Sequence, residues 1–382
     1  MRVLHVVGAR PNFMKTAPIM AEMAKRPELF EQTLVHTGQH YDANMSEAFF
    51  VDLEIPKPDV TLGVGSGSHA EQTARVMTAI EPVILERKPD LLMVVGDVNS
   101  TLACALVAAK KRTPVVHVEA GLRSFDRDMP EEINRILTDQ IADRLYTTER
   151  SAADHLAREG IAPERIVFAG NVMIDSLVTH RARAVPPAEA LARAGVDAAF
   201  LREPAGYGVV TLHRPSNVDG ATALAEALET LRAVAARIPL VWPVHPRAKA
   251  NIARFGLSQL LAGTRIALLP PQGYLEMLGL VAGARLVLTD SGGVQEEATA
   301  LDVPCLTMRD NTERPITIEQ GTNTLVGRDR ALALAAVADV QDHGGKRGRL
   351  PELWDGHAAE RIAADLAQWL AARTPAAIAV PA

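Results

Sequence analysis

The sequence predicts an α/β protein with two domains, each built on a parallel β-sheet, and with the two sheets facing each other across a cleft. Three observations carry this prediction: short apolar runs alternate with amphipathic segments, the runs fall into two groups, and polar residues gather where the runs end. The length of 382 residues agrees with it, because a chain of this size divides readily into two hydrophobic cores.

The apolar runs have the character of parallel strands, because several are continuous and rich in Val, Ile and Leu, as expected for strands buried on both faces. The first group comprises Val3–Val7, Thr33–His36, Leu91–Val95, Val115–Val118, Arg144–Thr147 and Ile166–Ala169. The second group comprises Gly208–Leu212, Leu240–Val244, Arg265–Leu268, Leu286–Thr289, Cys305–Met308 and Thr324–Val326. Between the strands lie helical patterns, such as the i, i+4, i+7, i+10 spacing of Leu224, Leu228, Leu231 and Val234. Each half therefore reads as a Rossmann-like domain.

The domain boundary is predicted near residue 172, with a first domain at 1–172 and a second at 173–359. The segment Asn171–Ala188 links them, and Val185-Pro186-Pro187 marks the break before a new strand near Tyr207. A final amphipathic helix is expected at about 360–372. The tail, 374–382, is rich in small residues and is expected to be disordered.

Composition excludes several classes of protein. Hydrophobic residues make up 48% and charged residues 23% of the chain, as in ordinary globular proteins, and a net charge of −6 favours neither nucleic acid nor an anionic membrane as partner. The first apolar run is too short for a signal peptide and no run reaches about 18 residues, so we expect a cytoplasmic protein without a membrane span. Cys104 and Cys305 lie in apolar segments and are expected to be buried thiols, and no His or Cys spacing indicates a metal site.

Polar residues follow strands in both halves of the chain. They occur at Gly8-Ala9-Arg10, Gly96-Asp97, Glu119-Ala120-Gly121, His213-Arg214, His245-Pro246 and Asp290-Ser291-Gly292-Gly293. Ligands of open parallel sheets bind outside the carboxyl ends of the strands. Clusters from both halves therefore indicate one site in a cleft between the domains.

The segment Asp290–Gly293 is a candidate phosphate site. A strand, a Gly-rich turn and a helix start would present backbone N–H groups and the positive end of the helix dipole to a phosphate. The alternative is an ordinary helix start, with Ser291 as cap and Glu296 or Glu297 as acids of the first turn. Glu297, one turn into the helix, is also placed to accept hydrogen bonds from ribose hydroxyls.

Two cations, Arg10 and Lys15, follow the first strand and suit a diphosphate, with exposed surface charge as the alternative. The usual dinucleotide motif GxGxxG does not follow that strand, and the P-loop motif GxxxxGK[ST] does not occur. These absences argue against a tightly bound dinucleotide and against a P-loop ATPase.

Three carboxylates, Asp97, Glu119 and Glu131, are candidates for general acid and base chemistry. Two of them also have a structural interpretation: Asp97 as a helix cap, and Glu131 as a first-turn acid after Pro130, paired with Arg135 four residues later. His213, at a strand end, is either functional or an ordinary hydrogen-bonded residue.

Taken together, these motifs resemble those of the non-hydrolysing UDP-N-acetylglucosamine 2-epimerases, in order from residue 1 to about 370. The resemblance rests on Gly8-Ala9-Arg10-Pro11 with Lys15, Thr37–His40, Gly96-Asp97, HVEAGLRS at 117–124, PEEINR at 130–135, LHRPSN at 212–217, DSGGVQEE at 290–297 and RDNTERP at 309–315. It implies the GT-B arrangement of two Rossmann-like domains, a UDP-binding second domain, a last helix that packs back onto the first domain, and a homodimer.

The resemblance also implies a reaction, the interconversion of UDP-N-acetylglucosamine (UDP-GlcNAc) and UDP-N-acetylmannosamine (UDP-ManNAc) by elimination of UDP to a glycal and re-addition. Such a reaction needs no nicotinamide and no metal, so no cofactor is expected. By position, Asp97, Glu119 and Glu131 correspond to acid and base groups and His213 to the catalytic histidine. Contacts to the UDP-sugar are implied for Arg10, Lys15, Arg135, Gln272, Met277, Ser291, Gly292, Gly293, Glu297 and Arg314.

One departure from the family pattern leaves the substrate open. Many bacterial members carry QHRxML, a stretch that helps to hold a second, activating UDP-GlcNAc, whereas this chain reads QHYDANM at Gln39–Met45. The same variant occurs in relatives that epimerise modified sugars such as UDP-linked diacetamido-uronic acids. Three rival functions also stay open: a GT-B glycosyltransferase, a hydrolysing 2-epimerase that releases UDP, and a non-catalytic nucleotide-sugar sensor.

Overall fold

Two parallel sheets organise the protein, and the computed structural model describes residues 1–38, 50, 52–202 and 204–373. The chain divides into two compact units. The first unit comprises Met1–Ser176 and the chain from Glu352 onward, and the second comprises Leu177–Pro351. The predicted α/β class is confirmed. The tail 374–382 and the stretch Gln39–Met45 lie outside the described residues.

The first unit contains a seven-stranded sheet with the order β3-β2-β1-β4-β5-β6-β7, in which all neighbours are parallel. Its strands are β1 (Arg2–Val7), β2 (Glu31–His36), β3 (Val60–Thr61), β4 (Leu91–Val95), β5 (Val115–Ala120), β6 (Arg144–Thr147) and β7 (Ile166–Phe168). The helices are α1 (Arg10–Ala24), α2 (His69–Arg87), α3 (Asn99–Lys110), α4 (Pro130–Ile141), α5 (Arg150–Arg158) and α6 (Val172–His180), and the last of these contains the boundary between the units.

The second unit repeats this strand order in a six-stranded parallel sheet, β10-β9-β8-β11-β12-β13. Its strands are β8 (Gly208–Thr211), β9 (Leu240–Pro243), β10 (Ile266–Leu269), β11 (Leu286–Thr289), β12 (Cys305–Thr307) and β13 (Asn323–Leu325). The helices are α7 (Pro187–Arg193), α8 (Pro215–Val218), α9 (Ala221–Ala235), α10 (Pro246–Arg254), α11 (Tyr274–Ala282), α12 (Gly292–Ala300), α13 (Pro315–Glu319) and α14 (Arg330–His343).

Every strand predicted from an apolar run is present, with ends that differ by at most two residues. The addition is β3, whose two residues are too few to form a recognisable run. Strand β4 shows why the runs are continuous: Leu91 and Met93 pack into one core cluster, and Leu92 and Val94 pack into the cluster on the opposite face of the sheet. A strand covered on both faces needs apolar side chains at successive positions.

Strand order reverses at one point in each sheet, between β1 and β4 in the first and between β8 and β11 in the second. Connections leave a reversal point in opposite directions and open a crevice beyond the carboxyl ends of the strands, where ligands of such sheets bind. Gly8 and Gly96 follow β1 and β4, and His213 and Asp290 follow β8 and β11 closely. Four of the six polar clusters predicted from sequence therefore lie at the two reversal points, and the other two follow the neighbouring strands β5 and β9.

The last helix, α15 (Ala358–Arg373), belongs to the first unit and packs against α1. Its residues Ile362 and Leu366 are buried in the same core cluster as Val3 and Ile19. The carboxylate of Asp175 accepts hydrogen bonds from the first two backbone N–H groups of the helix, at 3.1 and 2.7 Å. Burial raises the pKa of Asp175 above its ordinary value, although these bonds act in the opposite direction.

The thiols of Cys104 and Cys305 are free and buried, as the sequence predicted, and burial raises the pKa of both well above the ordinary thiol value. Over the described ranges, no helix is both long enough and apolar enough to cross a membrane.

Packing of α15 gives a first prediction. Replacing Ile362 by Ala leaves a cavity in the core shared with β1 and α1, and we expect the free energy of unfolding to fall by about 2–5 kcal/mol in urea titrations. Gln368→Ala, at an exposed position of the same helix, is the control and should change stability little. Equal effects of the two substitutions would contradict a packed helix.

Candidate active site

A buried ion pair lies beyond the carboxyl ends of β4 and β5. Lys15 Nζ on α1 donates to Glu119 Oε1 at 2.6 Å, and both side chains are almost inaccessible to solvent. Buried charges persist in proteins when they are paired, because an isolated charge loses its hydration without compensation. The sequence predicted both residues as site residues but did not predict that they would be partners.

Gly96 allows β4 to end against this pair. Its φ angle is +66°, and a Cβ atom added there would lie 3.0 Å from Lys15 Nζ and 3.7 Å from Glu119 Oε1. A side chain at this position would therefore be disfavoured both by the backbone conformation and by the close approach of the ion pair.

Glu119 itself has a left-handed backbone, with φ at +71°. It lies at an irregularity in β5, where the register with β6 shifts between Val118 and Ala120. Left-handed geometry costs an ordinary L-residue roughly 1–2 kcal/mol, and strained positions of this kind cluster at functional sites. An acid that occupies such a position, and not a glycine, is a strong candidate for a functional carboxylate.

Asp97 is held by an arginine from a different element. Its Oδ2 accepts a hydrogen bond from Arg135 Nη2 at 2.6 Å. The residue that caps helix α3 is Val98, so the alternative interpretation of Asp97 as a helix cap is wrong. Asp97 remains partly exposed, whereas its guanidinium partner is buried.

Helix α4 carries Arg135, the partner of Asp97, together with two further acids. It begins at Pro130, as predicted, with Glu131 and Glu132 in its first turn. Glu132 is buried, pairs with Arg135, and accepts hydrogen bonds at 2.9 Å from Ser124 and from the backbone of Phe125. Sequence reasoning missed Glu132, although its spacing of three residues from Arg135 was a usable signal. Glu131 is half-buried.

In the second unit, a histidine–aspartate pair joins the ends of β8 and β11. His213 Nδ1 lies 2.9 Å from Asp290 Oδ1, and Asp290 also accepts from the backbone N–H groups of His213 and Arg214 and from Asn217 Nδ2 at 3.1 Å. Burial alone would raise the pKa of Asp290, but the imidazole and these donors outweigh it and hold the pKa below its ordinary value. The His213 side chain is 37% exposed, so its ring can reach a ligand.

Helix α12 begins beside this pair. Ser291 occupies the N-cap position, as the alternative interpretation held, but its hydroxyl makes no capping bond, and the first turn contains no acid. The alternative of an ordinary capped helix, with Glu296 or Glu297 as first-turn acids, is therefore wrong in its details. The first-turn N–H groups have no carbonyl partner within a helix and suit an anion.

Charged side chains surround the start of α12. A Cβ atom on Gly292 would lie 2.5 Å from Glu313 Oε1, so a side chain there would displace the Glu313 carboxylate. Glu313 pairs with Arg309 at 2.7 Å, and Arg314 Nε pairs with the fully buried Glu296 at 2.7 Å. Arg314, predicted from the resemblance to contact the ligand, thus belongs to a buried network at the helix start.

The remaining predicted residues of this unit lie around α11. Gln272 Nε2 donates to the carbonyl of Pro270, and Met277 is half-buried against the core. Glu297 lies beside Tyr274, and burial followed by the charge of Glu297 raises the pKa of that phenol far above its ordinary value.

The structure thus places the predicted residues in two clusters. Lys15, Asp97, Glu119, Glu131 and Arg135 lie in the first unit, where Arg10 is the first residue of α1. His213, Ser291, Gly292, Gly293, Glu297 and Arg314 lie around α12 in the second. Among the residues described, no three His, Cys, Asp or Glu side chains converge as ligands for a metal ion.

Comparison with known proteins shows one consistent likeness. The family model described as UDP-N-acetylglucosamine 2-epimerase matches residues 21–367. The UDP-N-acetylglucosamine 2-epimerase of Methanocaldococcus jannaschii is 40% identical over 365 residues, which cover 95% of this chain and 98% of that protein. The UDP-2,3-diacetamido-2,3-dideoxy-D-glucuronate 2-epimerase of Pseudomonas aeruginosa is 42% identical over 376 residues, which cover 96% and 100%. The crystal structure of the M. jannaschii enzyme in complex with UDP-GlcNAc and UDP matches with a TM-score of 0.88, covering 96% of this chain and 100% of that one.

The His213–Asp290 pair gives a second prediction. Because the pKa of Asp290 is lowered in the folded protein, its carboxylate contributes stability that is present above its ordinary pKa of 3.8 and is lost as the pH falls through the lowered value. We expect Asp290→Asn to lower the free energy of unfolding by about 3–5 kcal/mol at pH 7, and by less as the pH falls below about 4.

Urea unfolding at pH 7 and pH 3 measures this difference. The control is Asp219→Asn, which removes the carboxylate of an exposed pair with Arg247 in the same unit. If the difference in the free energy of unfolding between wild type and Asp290→Asn stays constant with pH, the charge of Asp290 does not stabilise the strand ends.

Proposed function

The chain belongs to the UDP-N-acetylglucosamine 2-epimerase family, and from this premise we propose that it is a non-hydrolysing isomerase that inverts C2 of a UDP-linked 2-acetamido sugar. UDP-GlcNAc and UDP-ManNAc are the proposed pair of substrates. The observation that carries the proposal is that Asp97 and Glu119, each paired with a cation, lie at the carboxyl ends of the neighbouring strands β4 and β5. Acids at that place suit proton transfer to and from a bound sugar.

The proposed reaction proceeds through elimination. The C2 proton is not adjacent to a carbonyl, so direct deprotonation is unfavourable. Cleavage of the C1–O bond, with the electron pair leaving on UDP, gives C1 oxocarbenium character, and loss of the C2 proton to a base then forms the C1–C2 double bond of a glycal. Delivery of a proton to the opposite face of C2 and return of UDP to C1 give the epimer. All atoms of the substrate other than the exchanged proton are retained, and no redox partner is needed.

We assign the proton transfers to the first unit. Asp97, Glu119 and Glu131 are the proposed acid and base groups, and Lys15 and Arg135 fix two of them by short ion pairs. Groups held in this way need little reorganisation when charge develops, which is the main source of electrostatic catalysis.

We assign the leaving group to the second unit. The N-terminus of α12, with Ser291, Gly292 and Gly293, suits the diphosphate because N–H groups and the helix dipole stabilise negative charge there. His213 is proposed to act on the diphosphate as it departs. Further contacts to the UDP-sugar are proposed, from the family resemblance, for Arg10, Gln272, Met277, Glu297 and Arg314.

A second substrate is favoured by one specific observation. The relative from P. aeruginosa, named a 2-epimerase of UDP-2,3-diacetamido-2,3-dideoxy-D-glucuronate, matches this chain over 96% of its length at 42% identity. We therefore propose the diacetamido-uronate as the alternative substrate of the same site and the same reaction. A homodimer and a cytoplasmic location complete the proposal, and light scattering and cell fractionation test them.

Isotope exchange tests the reaction. In deuterium oxide, NMR of UDP-GlcNAc with the enzyme should show deuterium entering C2, with UDP-ManNAc formed and no acceptor present. A glycosyltransferase would not exchange C2, a hydrolysing epimerase would release UDP and free sugar, and a sensor would bind UDP without exchange.

The carboxylates give a third prediction. Asp97→Asn, Glu119→Gln and Glu131→Gln should each reduce the rate of C2 exchange by roughly 10²- to 10⁴-fold, because each removes a proton donor or acceptor. Asp154→Asn and Glu86→Gln, which change exposed acids of the same unit, are matched controls and should keep the wild-type rate. Wild-type exchange in all three site variants would refute the assignment.

Substrate choice gives a fourth prediction. If UDP-GlcNAc is the natural substrate, its kcat/KM should exceed that of the 2,3-diacetamido-uronate, and the reverse order identifies the modified sugar. Both should share one set of carboxylates, so Glu119→Gln should depress the two activities in parallel. Loss of one activity alone would show that the two substrates use different acids.

A further inference from the structure

A buried histidine and a buried aspartate lie next to the candidate carboxylates but are not themselves among the candidate acid and base groups. His117 on β5 and Asp139 on α4 are both fully buried, with Nδ1 and Oδ1 2.6 Å apart. His117 Nε2 also donates to the backbone carbonyl of Gly96, at 2.8 Å. The pair thus connects β5, α4 and the end of β4.

The hydrogen bonds define the state of this pair. A carbonyl oxygen only accepts, so His117 Nε2 carries a proton. Asp139 Oδ2 accepts from the backbone N–H of Gly121 at 3.0 Å and from Arg123 at 2.8 Å, both of which only donate. Burial would raise the pKa of Asp139, but His117 and Arg123 outweigh it and keep the pKa below its ordinary value. Both ring nitrogens of His117 and both carboxyl oxygens of Asp139 are therefore engaged in hydrogen bonds.

The pair reaches every element that carries a candidate acid of the first unit. Asp97 follows Gly96, whose carbonyl is held by His117. Glu119 lies between His117 and Gly121, whose N–H is held by Asp139. Glu131 lies about two turns before Asp139 on helix α4.

These held positions have left-handed backbones, which glycine adopts freely and which strain only Glu119. Gly96, Glu119 and Gly121 have φ angles of +66°, +71° and +79°. A left-handed residue at a strand end persists when surrounding bonds fix it. Stability alone does not explain why a histidine and an aspartate are buried here, because well-packed apolar residues often stabilise a core as well as a buried ion pair does.

We propose that His117 and Asp139 are positioning residues that set the relative placement of Asp97, Glu119 and Glu131. The pair does not touch the reacting atoms. It acts through the carbonyl of Gly96 and the N–H of Gly121, and this role rests on the proposed epimerase function.

Two substitutions of His117 separate its two bonds. In His117→Gln, the side-chain amide reaches the position of Nε2 and keeps the hydrogen bond to the Gly96 carbonyl. In His117→Asn, the shorter amide reaches only the position of Nδ1, so the bond to Gly96 is lost. We expect His117→Asn to lower kcat by roughly 10- to 100-fold, and His117→Gln by less than roughly tenfold, because small misplacements of catalytic groups are costly. The Kd for UDP should stay at the wild-type value in both.

The aspartate offers a rescue test. In Asp139→Asn the amide oxygen still accepts from Gly121 and Arg123, and the NH₂ donates to Nδ1 of a neutral imidazole whose Nε2 proton still reaches Gly96. Asp139→Ala removes all of these bonds. We expect Asp139→Asn to keep clearly more of the wild-type kcat than Asp139→Ala.

The matched control is His5→Asn. His5 is fully buried in β1 of the same sheet, where burial lowers its pKa to about 4 and a side-chain hydrogen bond with Gln32 acts in the opposite direction. This variant should lose thermal stability as His117→Asn does and yet keep kcat. Equal kcat losses in His5→Asn and His117→Asn, or an unchanged kcat in His117→Asn, would overturn the positioning role.

Hydrogen–deuterium exchange gives a readout that does not depend on turnover. Peptides that contain Gly96-Asp97 and Glu119–Gly121 should exchange faster in His117→Asn and Asp139→Ala than in His5→Asn. Unchanged protection there overturns the inference even if activity falls. If the wild type exchanges C2 of neither sugar, the proposed function is refuted. Hydrogen–deuterium exchange of these peptides then still decides whether the pair has the positioning role. If His117→Asn does not fold, His117→Gln and Asp139→Asn carry the test.

Discussion

Parallel pairing of the strands is the constraint on which the rest of the structure depends. Parallel strands need crossover helices, and in each unit these helices cover both faces of the sheet, so the strands accept mainly apolar side chains. Polar groups are then concentrated at the strand ends. Because all carboxyl ends lie on one edge and the order reverses once in each sheet, the polar residues of distant sequence segments meet at a single crevice per unit.

Charge is the second constraint, because the crevices are partly closed to water. Lys15 and Glu119 show the result, since both are buried and pair at 2.6 Å, and the buried carboxylate of Asp290 likewise has His213 as a partner at 2.9 Å. Such pairs add little net stability compared with apolar packing. Their benefit is geometric, because a carboxylate with a fixed partner occupies one position. The proposed reaction, which moves a proton to either face of one carbon atom, would depend on such fixed positions more than on stability.

The sequence predicted the fold well and the site in part, and the difference has a physical cause. Strands, the helix at Leu224–Val234 and the polar strand ends follow from local patterns, which report burial directly. The contact of Asp97 with Arg135 and that of His117 with Asp139 join residues far apart in sequence, and a single sequence carries no signal for them. Ser291 shows the opposite failure, since its residue type suggests a cap and yet the hydroxyl makes no capping bond. The preference of a residue type describes its usual role in secondary structure. A functional site depends instead on polar groups that the secondary structure leaves available to a ligand.

The path of the chain has a consequence for its synthesis. The first unit is closed by both ends of the described chain, because α15 fills the core beside β1 and α1, and the second unit is inserted between these parts. On the ribosome, the first unit therefore begins to form before the second but waits for the last helix to complete its core. During that interval the apolar surface that will receive Ile362 and Leu366 is uncovered. Residues translated after the second unit thus cover apolar surface of residues translated before it, and a chain released near residue 351 would contain the whole second unit but an incomplete first core.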